Sequence, residues 1–386
     1  MEEKIIAYVD SHREEMLRRW EILVNMDSGS LYKAGLDKTA AYLAELLEQG
    51  GFTVTVTSQA ENGNIVIGRK QGAGKGSYLL VGHYDTVFAE GEAARRPFRM
   101  EDGKAYGPGV HDMKGGLVVM LTALAALENT GFDSYASICV LMNGDEEIGS
   151  PVSRPAIEAE AKKADAVFIL EPARTDGSLV TARKGVGMFH LEVTGRAAHA
   201  GADPQAGVSA VEELARKIIE LHDITNYETG TTVNVGVISG GTRSNVVAER
   251  AQADIDLRVF TKAEAERACR AIEVAADKVH LPGAVTRLTG GMNRPPMEKN
   301  EATASLLALV QEAGRKLGLG IKDVASGGAS DGNFTAAAGA PTIDSMGTVG
   351  GLAHGVSEYS EVDSVFAKAK LLALTLVLAA RRESSD

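Results

Sequence analysis

Several side chains in this 386-residue sequence are of the types, and at the kinds of places, where a metal ion could be held and used. His83 and Asp85 close the apolar run SYLLVG, at what reads as the end of a buried strand. Asp112 lies in GPGVHDMKGG (107–116), a glycine-rich turn where missing Cβ atoms let backbone crowd a central ion. Asp145, Glu146 and Glu147 follow the apolar run ICVLMNG, and three consecutive acids at a strand end repel one another unless a cation neutralises them. Glu171 directly follows AVFIL, and His354 sits in the glycine-rich loop GGLAHG. The first three have plainer readings, a polar strand end, a helix N-cap aspartate and a solvated acidic turn, whereas an acid directly after five apolar residues, as Glu171 is, is hard to read as surface. Together they supply two imidazoles and three or four carboxylates, a donor set suited to two zinc ions sharing a carboxylate at a separation of ~3.5–4 Å. His111 neighbours Asp112, and adjacent residues rarely aim at one centre, so it reads as a loop histidine.

Residues so far apart in sequence need a scaffold that returns each to one edge. The first fifty residues carry apolar positions at helical spacing in Ile5–Val9 and Leu36–Leu47, and FTVTVTS and GNIVIGRK alternate as strands. Buried-strand runs then alternate with helices, which predicts an α/β domain with a central mixed sheet between helices. From about residue 187 the texture changes to strand–helix–strand–strand–helix–strand, with clean alternation in GMFHLEVTG and AQADIDLRVF. That order predicts an inserted ferredoxin-like α+β unit. The expected division is 1–186 with 294–386 for one domain and 187–293 for the insertion.

Composition narrows the function. Net charge is −12, which argues against a nucleic-acid partner. The longest apolar run, Gly115 to Leu127, is shorter than the ~18 residues a membrane span needs. Two cysteines, Cys139 and Cys269, lie in apolar-periodic stretches and make no disulfide framework. No signal peptide is visible at the N-terminus, and the expectation is a soluble, cytoplasmic protein without membrane or nucleic-acid partners. QGAGKGS (71–77) lacks the Ser/Thr and helix of a phosphate loop and reads as a turn. Gly328-Ala-Ser330-Asp-Gly332 matches a serine nucleophile elbow, with Asp344 and His354 downstream, so a serine hydrolase is a competing reading. A catalytically inactive binding protein is another.

VGHYDTV, GPGVHDMKGG, NGDEEIGS, LEPA, the AAHAG loop and LAHG together resemble the zinc aminoacylase/carboxypeptidase family, across essentially the whole chain. That family includes glutamate carboxypeptidases, acetylornithine deacetylases, succinyl-diaminopimelate desuccinylases and di- and tripeptidases; the motif spacing is most similar to that of the glutamate carboxypeptidases. The resemblance implies that Asp112 bridges two Zn²⁺ ions per subunit, with Co²⁺ or Mn²⁺ able to occupy the same ligands. His83 and Glu171 would complete one site, Glu147 and His354 the other. Asp85 would buttress His83, and Glu146 would be the general base acting on a metal-bridging water. His199 would contact the developing oxyanion, and Asn245, Arg258 and Arg294 match substrate-binding positions. The implied activity is release of a C-terminal amino acid, glutamate-type favoured, from an acyl or peptidyl group; N-acyl-amino-acid deacylase or dipeptidase activity is the alternative on the same scaffold. The implied substrate is a small peptide or N-acyl amino acid. The implied assembly is a homodimer paired through the inserted lid, with His199 crossing to the neighbouring site.

Overall fold

The computed structural model describes residues 1–383 and divides into two compact units. One comprises Met1–Thr181, Lys299–Ala325 and Ser330–Asp386; the other is Ala182–Glu298 with Ser326–Ala329. The chain thus changes unit at 182 and 298, a few residues outside the expected 187–293.

The first unit is built on a six-stranded sheet. Its order across the sheet is Thr53–Thr57, Ile65–Gln71, Ser137–Asn143, Ser77–His83, Ala166–Ile169, Thr342–Ile343. The first two pairings are antiparallel and the remaining three parallel, so the sheet is mixed. Between their polar ends the central strands are almost wholly apolar because both faces are covered. Tyr78 and Leu80 point into the core made with helices Arg13–Val24, Lys33–Gln49 and Val362–Glu383, whereas Leu79 and Val81 point into a second core with Ile157 and Phe334. Alternation between two buried faces turns a period of two into a continuous apolar run.

The helix Gly115–Asn129 fills the first of these cores. The segment Val110–Asn129, the turn with Asp112 and the helix after it, is 20 residues and apolar enough to cross a membrane by composition, longer than the Gly115–Leu127 run read from sequence. However, 89% of its most apolar stretch is buried inside the protein, as expected for a core helix. Cys139 and Cys269 are free thiols and only half-buried, although they lie in apolar-periodic stretches.

The second unit is a four-stranded antiparallel sheet in the order Thr232–Gly240, Arg250–Val259, Gly185–Thr194, Val285–Arg294. With helices Ala210–His222 and Lys262–Asp277 this is the ferredoxin-like order the sequence predicts. One sheet face packs Leu191, Ile255 and Leu257 against the helices; the other leaves Met188, His190 and Asp254 outside that core. Under the helices Lys217 and Glu213 form a fully buried ion pair at 3.2 Å. Lys217 also donates to the carbonyls of Ala275 and Ala276 at the end of the second helix, and Glu213 accepts from the backbone of His280 and Leu281. Each buried charge is therefore satisfied by backbone as well as by its partner.

Candidate metal centre and active site

Three adjacent strands of the mixed sheet run parallel, with His83 opposite Asn143 and Val81 opposite Ile169. Their C-terminal ends therefore emerge together, the place where open α/β sheets hold their ligands. His83 ends the middle strand. Glu146 and Glu147 open a short 3₁₀ turn beyond one neighbour, and Glu171 lies two residues beyond the other. Asp112 comes from the turn before helix Gly115–Asn129, where its backbone is extended rather than helical. Glycine is required here twice. Gly109 has φ 71°, and a Cβ on Gly116 would lie 2.0 Å from the carbonyl oxygen of Leu170, the residue preceding Glu171.

Asp112 presents one carboxylate oxygen to each histidine. Its Oδ1 is 3.2 Å from His83 Nε2, and its Oδ2 is 3.2 Å from His354 Nε2. His83 Nε2 is also 3.6 Å from Glu171 Oε1, and His354 Nε2 is 3.1 Å from Glu147 Oε2. Tetrahedral ligand bonds of 2.0–2.2 Å place ligand atoms ~3.3–3.6 Å apart. The four separations are close to that spacing. Glu147 Oε1 is buried without a hydrogen-bond partner, as a carboxylate oxygen waiting for a cation would be. Glu146 offers a carboxylate oxygen within 4.8 Å of ligand atoms of His83 and Glu171. The residues present therefore fit a two-cation centre.

The charges agree. Hydrogen bonds to Asp112 and Glu147 push His354 up to about 11. His83 is raised well above its ordinary value: burial works against the charge, but bonds to Asp112 and Asp85 outweigh it. Burial likewise opposes ionisation of Asp112, yet its bonds to His354 and His83 hold it below the usual carboxylate range. Burial, then the charge of Asp112, raises Glu171. Without cations, protons on the imidazoles supply the positive charge this cluster of acids demands.

Asp85 does more than the buttressing expected of it. His83 Nδ1 is 3.0 Å from its backbone oxygen and 3.3 Å from its Oδ1. The same carboxylate accepts from the backbone N–H groups of Glu146 and Glu147, and from the Ser30 hydroxyl at 2.7 Å. It ties the strand-end histidine to the acidic turn. Asp145, in contrast, faces away and accepts from the N–H groups of Val152 and Ser153 as a turn-closing residue.

Glu358 was not singled out by sequence. It is buried, and its carboxylate accepts from the backbone N–H groups of Gly109, His111 and Asp112 at 2.8–3.0 Å, holding the turn that carries Asp112. Nothing in SEYSE separates it from a surface acid. His111 is buried, its Nδ1 3.1 Å from the Ser360 hydroxyl, and burial lowers it to about 4, so it is a neutral packing residue of this turn.

The serine-hydrolase reading is overturned. Ser330 is fully buried, with its hydroxyl donated to Asp344, and His354 faces Asp112 and Glu147 instead.

The remaining candidates belong to the second unit. His199 is exposed, and its Nδ1 accepts from the N–H groups of Gly201 and Ala202, which leaves the proton on Nε2 and makes that nitrogen a donor. The Asn245 backbone carbonyl accepts from the N–H of Ala200, the residue after His199, at 3.0 Å. Arg258 and Arg294 both pair with Val186, from the strands on either side of it. Paired residues share a sheet face, so the two arginines stand in one row. Arg294 is buried, and Arg258 donates to Asp256.

The comparisons with known proteins agree with this geometry. Residues 79–377 match the model of peptidase family M20/M25/M40. The chain is 33% identical to carboxypeptidase G2 of a Pseudomonas species, over 91% of this chain and 86% of that protein. In fold it is similar to aminopeptidase PepT of Bacillus cereus, with a TM-score of 0.81 at 23% identity, covering 95% of this chain and 99% of that one. It is also similar to a Bacillus subtilis protein described as a dinuclear metal-binding M20 peptidase, with a TM-score of 0.71 at 15% identity, covering 96% and 99% of the two chains. A carboxylate aimed at two imidazoles and a match over most of the chain lead to one conclusion: the chain belongs to peptidase family M20/M25/M40, a family of metal-binding hydrolases.

Proposed function

We infer that the chain is a two-zinc amide hydrolase that releases a C-terminal amino acid, glutamate above others, from an acyl or peptidyl group. The observation that carries this reading is Asp112, whose two oxygens face two histidines that each meet a further carboxylate. In this reading His83 and Glu171 hold one cation, Glu147 and His354 the other, and Asp112 both. Bound divalent cations would polarise the scissile carbonyl and make water a nucleophile near neutral pH. A carboxylate tied to a cation is a poor proton carrier, so the shuttle falls to Glu146, which takes a proton from the attacking water and returns it to the leaving nitrogen. Asp85 orients His83 and the acidic turn together.

The second unit supplies recognition in this proposal. Arg258 and Arg294 offer guanidinium forks that suit a substrate carboxylate. The Nε2–H of His199 suits a developing oxyanion, a role worth ~10²–10³ in rate. We further propose a homodimer through this unit, with His199 serving the other copy. The functional test is a panel of N-acyl glutamates, other N-acyl amino acids and dipeptides, with and without added Zn²⁺, Co²⁺ or Mn²⁺. The expected result is hydrolysis abolished by a chelator and fastest for glutamate. A preference for free-amine dipeptides would make the enzyme a dipeptidase, and chelator-resistant hydrolysis would overturn the reading.

A further inference from the structure

Two non-glycine residues of the loop that carries His354 stand in the left-handed region, Leu352 at φ 60° and His354 itself at φ 64°. Such a backbone persists only where its surroundings impose it. Packing of the loop's apolar side chains does not, because Leu352 is 63% exposed and Val356 74%. Within the loop Gly355 N–H donates to the Leu352 carbonyl, and at its end Glu358 N–H donates to the Gly355 carbonyl. Among the described residues, one side chain from elsewhere hydrogen-bonds to the backbone of 352–357. It is Arg96, whose Nη1 donates to the Val356 carbonyl at 2.8 Å.

Arg96 is itself fixed on its other sides. Its Nε donates to Glu92, and its guanidinium lies over the Phe88 ring, 4.7 Å from the centroid. Pro97 follows it, which turns the chain out of the helix Glu92–Arg95 at this residue. The segment beneath is pinned through its backbone. The Asp27 carboxylate accepts from the N–H groups of Gly91 and Ala93 at 2.8 Å, and Asn25 Oδ1 accepts from Phe98 N–H, also at 2.8 Å. A Cβ on Gly29 would lie 2.1 Å from the Phe88 carbonyl oxygen, so this wall has no slack. Arg96 Nη2 is buried without a hydrogen-bond partner, a cost that the contacts of Nε, Nη1 and the guanidinium face must offset.

We propose that Arg96 is a positioning residue for His354: it braces the left-handed loop against the segment 88–98 and so sets the affinity of the cation site that His354 shares with Glu147. The assignment rests on the two-cation reading and adds to it what holds the loop-borne site in place. The geometry requires arginine, since Nε and Nη1 reach Glu92 and Val356 at once, whereas the single nitrogen of a lysine is a point charge without that fork. The sign of the effect separates bracing from charge. Taking a positive charge away from the neighbourhood of a cation site raises affinity there. Losing the brace lowers it, because a disordered ligand must be ordered on binding.

Two measurements on Arg96→Met, which keeps an apolar stem over Phe88, test the brace. In the metal-free variant, amide exchange over residues 350–359, read by mass spectrometry, quickens ~10-fold while that of 107–116 is unchanged. Calorimetric titration with Zn²⁺ finds the loop-borne site weakened ~10-fold or more and the site of His83 and Glu171 within about 2-fold of wild type. Arg96→Lys restores neither property. An unchanged or tighter loop-borne site, equal losses at both sites, or full restoration by lysine would overturn the brace. Should Arg96→Met fail to fold, Arg96→Lys and Glu92→Ala show the same loosening of 350–359, and wild-type exchange in both would overturn it. Wild-type protein that takes up no Zn²⁺ would instead overturn the two-cation reading. In that event exchange of 350–359 in the metal-free variant still decides whether Arg96 holds the loop.

Discussion

His83 is 1% exposed at the end of a central strand, its ring held from behind by Asp85, while His354 is 53% exposed in a glycine-flanked loop at φ 64°. Asp112 faces both alike at 3.2 Å. The two halves of the centre therefore differ in support rather than in ligand type. The strand-anchored half is pre-organised by the sheet. The loop-borne half places an imidazole by holding a non-glycine residue in the left-handed region, a conformation costing on the order of 1 kcal/mol that its surroundings must enforce. Equal donor sets on unequal supports predict unequal cation affinities, because ordering a ligand costs affinity.

The largest expected effect separates chemistry from both halves. Glu146→Gln loses ~10²–10⁴ in kcat while still binding two cations per chain by metal analysis, since only the proton shuttle is removed. Loss of a cation in that variant would exchange the roles of Glu146 and Glu147. Next, stepwise titration of the metal-free protein gives a tight and a weak site. His83→Ala abolishes the tight step and His354→Ala the weak one; the reverse assignment, or two equal steps, breaks the comparison. A smaller effect comes from behind the shared ligand. Glu358→Gln swaps one acceptor oxygen for an amide facing backbone N–H donors, and lowers cation affinity ~10–100-fold at both sites together. A loss at one site alone would confine Glu358 to that half.

The pH dependence follows from the same charges. In the metal-free protein His354, raised to about 11, carries a proton at neutral pH, as does His83. Cations must displace those protons, so loading releases protons and affinity rises with pH. Calorimetry in two buffers of different ionisation enthalpy reads the number released; none released contradicts the assignment of the imidazoles. For the metal-free protein the sign is opposite. The His354 pairing with Asp112 and Glu147 stabilises fully below its ordinary value of 6.5 and is lost as pH rises through about 11.

The mixed sheet and the inserted unit were legible because their signals are periodic: two-sided burial gives unbroken apolar strands, and one-sided burial gives alternation. The strand-end residues His83, Glu146, Glu147 and Glu171 were legible for the same reason, since polar groups that end an apolar run are conspicuous. Glu358 was not, because its partners are backbone N–H groups of a turn nearly 250 residues earlier in the chain, and backbone leaves no mark in sequence. The small sheet around it, with strands of two and three residues such as Gly350–Gly351 and Tyr359–Glu361, is too short to show a period. Asp145 was indistinguishable from its neighbours because only the turn geometry decides which of three acids points inward. Ser330 satisfied a local pattern whose required partners the fold sends elsewhere.

Asp112 is where the two halves meet, and its substitution tests the account most directly. Metal analysis of Asp112→Ala, after equilibration with excess Zn²⁺ and removal of free ion, is predicted to find fewer than one equivalent per chain where the wild type holds two. Retention of two equivalents by the folded variant would show that the halves are independent sites and that Asp112 does not join them.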